Sequence, residues 1–229
     1  IKEFCADKRI SPNILFMAST ILALNKYTFS DKTLITTIFN GRLNSNYENT
    51  QAFLVKTLPI VSINEDWNIS IRQMFNQIDE IWKNGIRHSN YPYIKIAEEF
   101  NLKPEFMYTY NSLEFGNIKL DNNVYDIKRL NSLETDYKVT FNVNENEEDL
   151  ELEILYNNGF YSEKYITTFL NSILSIVNQF IDGNIEQLKI NEIELNPRDE
   201  LPTFSPVENP ILHKRFEKQA VEKADDVTT

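Results

Sequence analysis

Residues 150–183 read LELEILYNNGFYSEKYITTFLNSILSIVNQFIDG. Leu150, Leu152, Ile154 and Tyr156 alternate with other residues, the two-residue period of a half-buried strand. Ser162 then opens a helix that the pattern carries to Ile181. Its apolar stripe of Ile166, Phe169, Leu170, Ile173, Ile176, Val177 and Phe180 recurs at steps of three and four, and Gly183 supplies a C-terminal cap. A strand leading straight into an amphipathic helix is an α/β unit.

Working outward, Tyr137 to Val143 predicts another strand. The acidic turn Asn144 to Asp149 between the two reads as a solvated hairpin tip. Residues 1–9 read as a short helix end. Ser11-Pro12 restarts the chain, with serine as N-cap and proline at the first helical position. Leu15, Ala18, Ile21 and Leu22 then predict a helix from Ile14 to Tyr27, packed on a sheet. Thr33 to Phe39 is β-branched and apolar, a buried strand. Asn40 to Gln51 is a polar loop opened by Gly41-Arg42. Phe53 to Ile63 predicts a second strand, where Pro59 requires an edge, a bulge or a break. Ile69 to Ile86 predicts a helix with Ile71, Met74, Phe75, Ile78, Ile81 and Trp82 on one stripe. The stretch His88 to Tyr93 is a turn, followed by a short helix to Phe100. Glu105 to Tyr110 predicts a strand, Gly116 to Asn123 a polar loop, and Val124 to Leu130 a strand. Beyond Asn196, four prolines (Pro197, Pro202, Pro206 and Pro210) forbid regular helix and favour an extended linker. Ile211 to Val221 then predicts an amphipathic helix. The expected organisation is an α/β domain over 1–196, a linker over 197–210 and the first helix of a further element over 211–229. No internal repeat is visible.

Composition narrows the function classes. The 229 residues are 41% hydrophobic and 25% charged, which are globular values. A net charge of −11 argues against a nucleic-acid binder, whose affinity rests on clustered cations. One cysteine, Cys5, excludes an internal disulfide framework. No apolar run approaches the roughly 20 residues of a membrane helix. A start at Ile1, without methionine, suggests a piece of something longer. Only two histidines occur, His88 and His213. His88 follows a helix and suits its C-terminal end. No histidine pair and no Cys-x-x-Cys is present, so no metal site is expected. The acidic stretch Glu145 to Glu153 lacks the glycine and ligand spacing of a calcium loop. Trp67 and Trp82 read as core. Glycine is only 5 residues, and no phosphate-binding loop exists. Asparagine occurs 28 times, a compositional bias that drains meaning from any single one. Read this way, the chain is an α/β domain without a self-contained catalytic constellation.

Longer stretches carry more. Ser11 to Phe16, Leu24 to Thr28 and Asn40-Gly41-Arg42 resemble the helix and the strand-to-Gly-Arg segment of nonribosomal peptide synthetase condensation domains. Gln51 to Pro59 resembles their Gly-x-Phe-Val-Asn-Thr-x-Pro segment, with Ala52 in place of glycine and Lys56 in place of the amide residue. His88 to Tyr93 resembles His-Gln-Asp-Tyr-Pro-Phe, and Phe106 to Asn111 a strand ending in Tyr-x-Asn. Tyr156 to Phe160 with the following helix resembles the family's closing helix, and Leu212 to Ala220 the opening helix of an adenylation domain.

The resemblance implies a chloramphenicol-acetyltransferase-like lobe, a mixed β-sheet flanked by helices. The family has two such lobes, and this chain matches the C-terminal one with the strap into an adenylation domain. The family's His-His-x-x-x-Asp-Gly motif belongs to the other lobe, so the isolated fragment is expected to be inactive and no catalytic residue is assigned here. The reaction implied is amide formation between carrier-bound thioesters, in a cytoplasmic multidomain enzyme. A non-catalytic docking platform for carriers and an epimerization or cyclization relative are the alternatives. Implied partners are the N-terminal lobe, peptidyl carrier proteins and the adjacent adenylation domain, with no nucleic acid and no membrane. No cofactor is bound directly; phosphopantetheine sits on the carriers. Carried over by position, Asn111, Thr57, Phe53 and Lys56 are candidates for the pantetheine tunnel. Phe53 and Thr57 would line the sheet. Gly41, Arg42, His88, Tyr91 and Pro92 are expected to be structural, Arg42 by ordering its loop, an ion pair being one means.

Overall fold

In a computed structural model, the residues described are 1–42, 45–47, 50–112, 117–120, 123–126, 137–145 and 149–195. All belong to the compact unit Ile1–Leu195. The expected linker and the helix after it lie outside the described residues, as does His213.

The chain opens with helix α1 (Lys2–Lys8) and helix α2 (Pro12–Thr28). Ser11 Oγ accepts from the Ile14 N–H at 3.2 Å with Pro12 at the first helical position, the N-terminal pairing that the residue types favour. Every residue of α2 from Ile14 to Ala23 is buried, so this helix is enclosed on all sides rather than along one stripe. The hydroxyls of Ser19 and Thr20 meet that burial by bonding back to the carbonyls of Leu15 and Phe16, each at 2.8 Å. Strands β1 (Lys32–Phe39) and β2 (Lys56–Ile63) pair antiparallel. Helix α3 (Ile71–Arg87) starts in a full capping box, Ser70 with Gln73, and helix α4 (Tyr93–Glu99) follows. Then come strand β3 (Phe106–Ser112), the antiparallel pair β4 (Asn117–Leu120) and β5 (Asn123–Asp126), and strands β6 (Val139–Glu145) and β7 (Leu150–Tyr156). Helix α5 (Glu163–Asp182) closes the order, capped by Ser162.

The main sheet has five strands in the order β2-β1-β3-β6-β7. The β1–β3 and β3–β6 pairs are parallel, and the two outer pairs are antiparallel. Pro59 sits on edge strand β2, the kind of strand in which proline is accommodated. On one face α3 lies against β2, α2 against β1 and α5 against β7, with α2 between the other two helices. Fully buried Phe16, Phe75, Tyr108, Phe141 and Phe180 form the core of that layer.

Four expectations change. The second strand starts at Lys56, not Phe53. Residues 117–120, expected as loop, form β4. The strand expected over Val124 to Leu130 is described only as β5, and 127–130 lie outside the described residues. Asn144 and Glu145, expected in an exposed turn, belong to β6, and Asn144 is 8% exposed. The last change has a physical cause: these polar side chains are satisfied by one another across the sheet.

Gly183 ends α5 with φ −89°, so it is not needed for a left-handed cap. A Cβ there would lie 2.7 Å from Leu188 Cδ2 and 2.8 Å from the Gln179 carbonyl oxygen; close approach is what calls for glycine. Arg72 ties three segments together. Its Nε donates to Glu186 Oε1 at 2.8 Å and its guanidinium to the Lys8 carbonyl at 2.9 Å. Replacing Arg72 with alanine should lower stability by about 1 kcal/mol, read as a fall in the urea midpoint at unchanged slope. Arg72→Lys should recover less than half, because a single ammonium does not reproduce the fork.

Candidate functional site

Strand alternation sorts the expected tunnel residues. On β3, Tyr108 faces the helices and its hydroxyl donates to the Asn13 carbonyl at 3.0 Å. Thr109 and Asn111 are then on one face and Tyr110 on the other. On β6, Phe141 and Val143 join the core, which puts Asn142 and Asn144 on the face of Thr109 and Asn111. On β7, Glu153 shares that face.

Two hydrogen-bonded rows result. Thr109 Oγ1 donates to Asn142 Oδ1 at 2.6 Å, and Asn142 Nδ2 donates to Glu153 Oε2 at 2.9 Å. One step along the strands, Asn111 Nδ2 donates to Asn144 Oδ1 at 2.8 Å. Thr109, Asn142 and Asn144 are all buried. Asn111 is therefore a fixed amide, aimed away from the helices at the carboxyl end of a parallel strand.

Thr57 is the register partner of Ile38, and Lys56 that of Phe39. Leu58 and Ile60 of β2 are buried against the helices, so Lys56 lies on the helix side and Thr57 on the side of Asn111. The sheet thus brings Asn111 and Thr57 to one face, one strand apart, and separates Lys56 from both. Phe53 is corrected: it precedes the strand and is 90% exposed, so it lines no sheet. The four extra polar-face residues, Thr109, Asn142, Asn144 and Glu153, were not singled out from the sequence. Polar residues at 109 and 111, and at every second position of 140–144, were the available signal, hidden by the abundance of asparagine.

The positions expected to be structural hold loops and turns. Gly41 has φ +73°. Arg42 donates to the carbonyls of Tyr47 and of Thr50, the latter at 3.1 Å, so among the described residues it orders the loop through main-chain acceptors. His88 is the C-cap of α3, and its N–H reaches the Asn84 carbonyl at 3.1 Å. The Tyr91 N–H bonds the His88 carbonyl at 2.9 Å, and Pro92 is the N-cap of α4.

Between β1 and β3 the chain diverges: after β1 it goes to edge strand β2, after β3 to the opposite half of the sheet. Ligands of open α/β sheets bind outside the carboxyl ends of strands at such a divergence. Here that position holds a cavity of about 180 Å³ on the helix side, lined by Asn13, Thr37, Phe39, Trp82 and Tyr110 among others. Tyr110 Oη donates to Glu145 Oε2 at 2.6 Å, and Lys2 Nζ stands 3.8 Å from Glu145 Oε1. Burial, then the bond to Glu145, pushes the Tyr110 phenol well above its ordinary range. Burial likewise pushes the nearby Cys5 thiol up to about 11, so Cys5 is a protonated core residue at neutral pH. Among the described residues, no group of three His, Cys, Asp or Glu is placed to hold a metal ion. Nor is any helix long and apolar enough to cross a membrane.

A five-stranded mixed sheet with helices on one face, with its polar groups gathered at parallel strand ends, defines a chloramphenicol-acetyltransferase-like α/β fold. Within that class the chain belongs to the condensation domain family, whose profile matches residues 1–200. Solved structures agree in fold. A four-domain nonribosomal peptide synthetase, holo-AB3403 bound to AMP and glycine, superposes with a TM-score of 0.74 at 15% identity, covering 86% of this chain and 16% of that one. The condensation domain of the Monacolin K polyketide synthase MokA gives 0.70 at 15% identity, over 82% of this chain and 45% of that one. The first condensation domain of the calcium-dependent antibiotic synthetase, in complex with a substrate analogue, gives 0.66 at 11% identity, over 85% and 44%. The chain therefore spans less than half the length of each.

Proposed function

We propose that this chain is the C-terminal lobe of a condensation domain of the nonribosomal peptide synthetase type, running into a linker and an adjacent adenylation domain. The observation that supports it best is a pair of coverages. The family profile takes in residues 1–200, yet the chain accounts for only 45% and 44% of two condensation-domain structures. In this reading the parent domain joins a carrier-bound acyl thioester to a carrier-bound amine. The amine attacks the thioester carbonyl, the tetrahedral intermediate expels the pantetheine thiol, and the amine proton leaves for a base. That base is a histidine of the N-terminal lobe; neither histidine of this chain stands beside another, and His88 caps a helix.

This lobe supplies one wall of the tunnel. Asn111 Nδ2 is held by Asn144, which leaves Asn111 Oδ1 to accept an amide N–H of the pantetheine arm. Thr57 extends the same wall. Lys56, on the other face of β2, suits a carrier phosphate at the rim rather than the tunnel itself. Holding two arms in line lowers the barrier by removing translational and rotational freedom in advance, worth several kcal/mol.

Reconstitution tests the proposal. The chain alone, given donor and acceptor carriers loaded through phosphopantetheine, should form no amide. Adding a separately produced N-terminal lobe should restore product, and Asn111→Ala should then lower the rate about tenfold. Product from the chain alone would refute the assignment. Carrier binding by the reconstituted pair without product would favour a docking platform instead.

A further inference from the structure

The cavity at the diverging ends of β1 and β3 has no part in the reading above, because Tyr110 and Asn111 are successive residues of β3 and project to opposite faces of the sheet. Its lining is chemically specific. Phe39 and Trp82 meet edge to face, ring centroids 6.4 Å apart, and form an aromatic wall. Thr37 is 1% exposed and brings a hydroxyl to the lining of the cavity. Asn13, in the first turn of α2, contributes to the same lining, and its Oδ1 is buried without a partner. Buried polar groups without partners are uncommon, and each calls for an explanation such as a ligand or a water. The one ionisable side chain among the lining residues, Tyr110, has its hydroxyl committed to Glu145. A charged guest would thus find no counter-ion among the lining residues and would be disfavoured to the extent that it loses water. Aromatic walls favour flat guests.

We propose that this cavity is a binding site for a small, neutral, planar group bearing an N–H donor, of the primary carboxamide or heteroaromatic class. The flat part lies against Trp82 and Phe39, and the N–H and its neighbouring acceptor engage Asn13 and Thr37. The volume, about 180 Å³, suits a group the size of an amino-acid side chain.

Benzamide is the probe, with benzoate as its charged counterpart of the same shape, against the intact 229-residue chain labelled with nitrogen-15. The chain has two tryptophans, so two indole N–H signals serve as reporters. Trp67 Nε1 donates to Asp31 at 2.7 Å, away from the cavity, and is the internal control. Titration should move the Trp82 signal saturably, with a dissociation constant on the order of millimolar for so small a ligand, and leave Trp67 in place. Benzoate should bind at least about tenfold more weakly. Thr37→Val, which keeps the shape, should weaken benzamide about threefold or more while the spectrum stays folded. A still Trp82 signal, equal binding of benzoate, or a folded Thr37→Val protein with unchanged affinity would each overturn the proposal.

Discussion

Replacing Gly41 with alanine should cost about 3 kcal/mol of stability, a loss that urea denaturation reads as a lower midpoint with unchanged slope. Two independent effects add. The backbone of Gly41 has φ +73°, where a Cβ is disfavoured by roughly 1 kcal/mol. The new Cβ would also lie 1.9 Å from the Leu54 carbonyl oxygen and 2.8 Å from its carbonyl carbon. Those are main-chain atoms just ahead of β2 and cannot swing aside as a side-chain tip would. Nor can the loop drift, because Arg42 fastens it to the carbonyls of Tyr47 and Thr50. Gly41→Asn separates the two effects. Asparagine tolerates the left-handed region, so if conformation alone mattered it would be much milder than alanine. Because the clash dominates, both should be severe. Gly183→Ala should be milder, since the nearest atom is the mobile Cδ2 of Leu188, only one main-chain atom, the Gln179 carbonyl oxygen at 2.8 Å, is crowded, and the backbone there has a negative φ. An alanine at 41 that leaves the midpoint unmoved would mean that the loop does not pass Leu54 as described.

The contrast between these glycines shows what was legible in the chain and why. Helices α2 and α5 were readable because their caps are local chemistry: Ser11 and Ser162 each accept from an N–H three residues on; α3 was readable from its apolar stripe, while its Ser70 cap was not singled out. The strands were readable where one face is apolar, as in Leu150 to Tyr156; Pro59 left an edge, a bulge or a break open, and the sheet order places it on an edge. What could not be read was set by contacts distant in sequence. Gly41 answers to Leu54, and Gly183 to Leu188 as much as to its own helix end. The enclosure of α2 on every side depends on α3 and α5, so its interior shows as more than the four-residue stripe that the spacing suggested.

The candidate site was the least legible part. Asn111 was visible because Phe106 to Asn111 resembles a family strand ending in Tyr-x-Asn, but its partner was not, since Asn144 looked like the start of an acidic turn. Polar residues in a strand break the alternation rule unless something satisfies them, and here the satisfying groups sit on neighbouring strands more than thirty residues away. Phe53 was misplaced for the opposite reason. It is apolar and precedes an apolar run, which extended the expected strand three residues too far. Lys56 and Thr57 illustrate the period-two rule. Adjacent in sequence, they are on opposite faces, and only the burial of Leu58 and Ile60 shows which face each takes.

Asn142 is the place where the polar face can be broken with one change. Its carboxamide accepts from Thr109 and donates to Glu153, linking three strands while 9% exposed. Leucine keeps the same branched heavy-atom skeleton and is larger, so Asn142→Leu opens no cavity. It does leave the buried Thr109 hydroxyl without its acceptor and Glu153 without its donor. Stranding buried partners costs more than the bonds contributed, about 1–3 kcal/mol for a neutral group and more for a charged one; a total near 3 kcal/mol is expected in urea denaturation. Adding Thr109→Val removes one stranded group and should return about 1 kcal/mol, so that the double variant is more stable than the single. That reversal separates a hydrogen-bonded row from plain packing, which two truncations would weaken further. The effect should also reach the site. Asn144 flanks Asn142 on β6 and holds Asn111, so loosening the row should blunt any dependence on Asn111 in the reconstituted reaction. Asn142→Leu and Asn111→Ala should then combine to much less than the product of their separate effects. Full additivity would show that the two rows act independently, and that Asn111 is held by Asn144 alone.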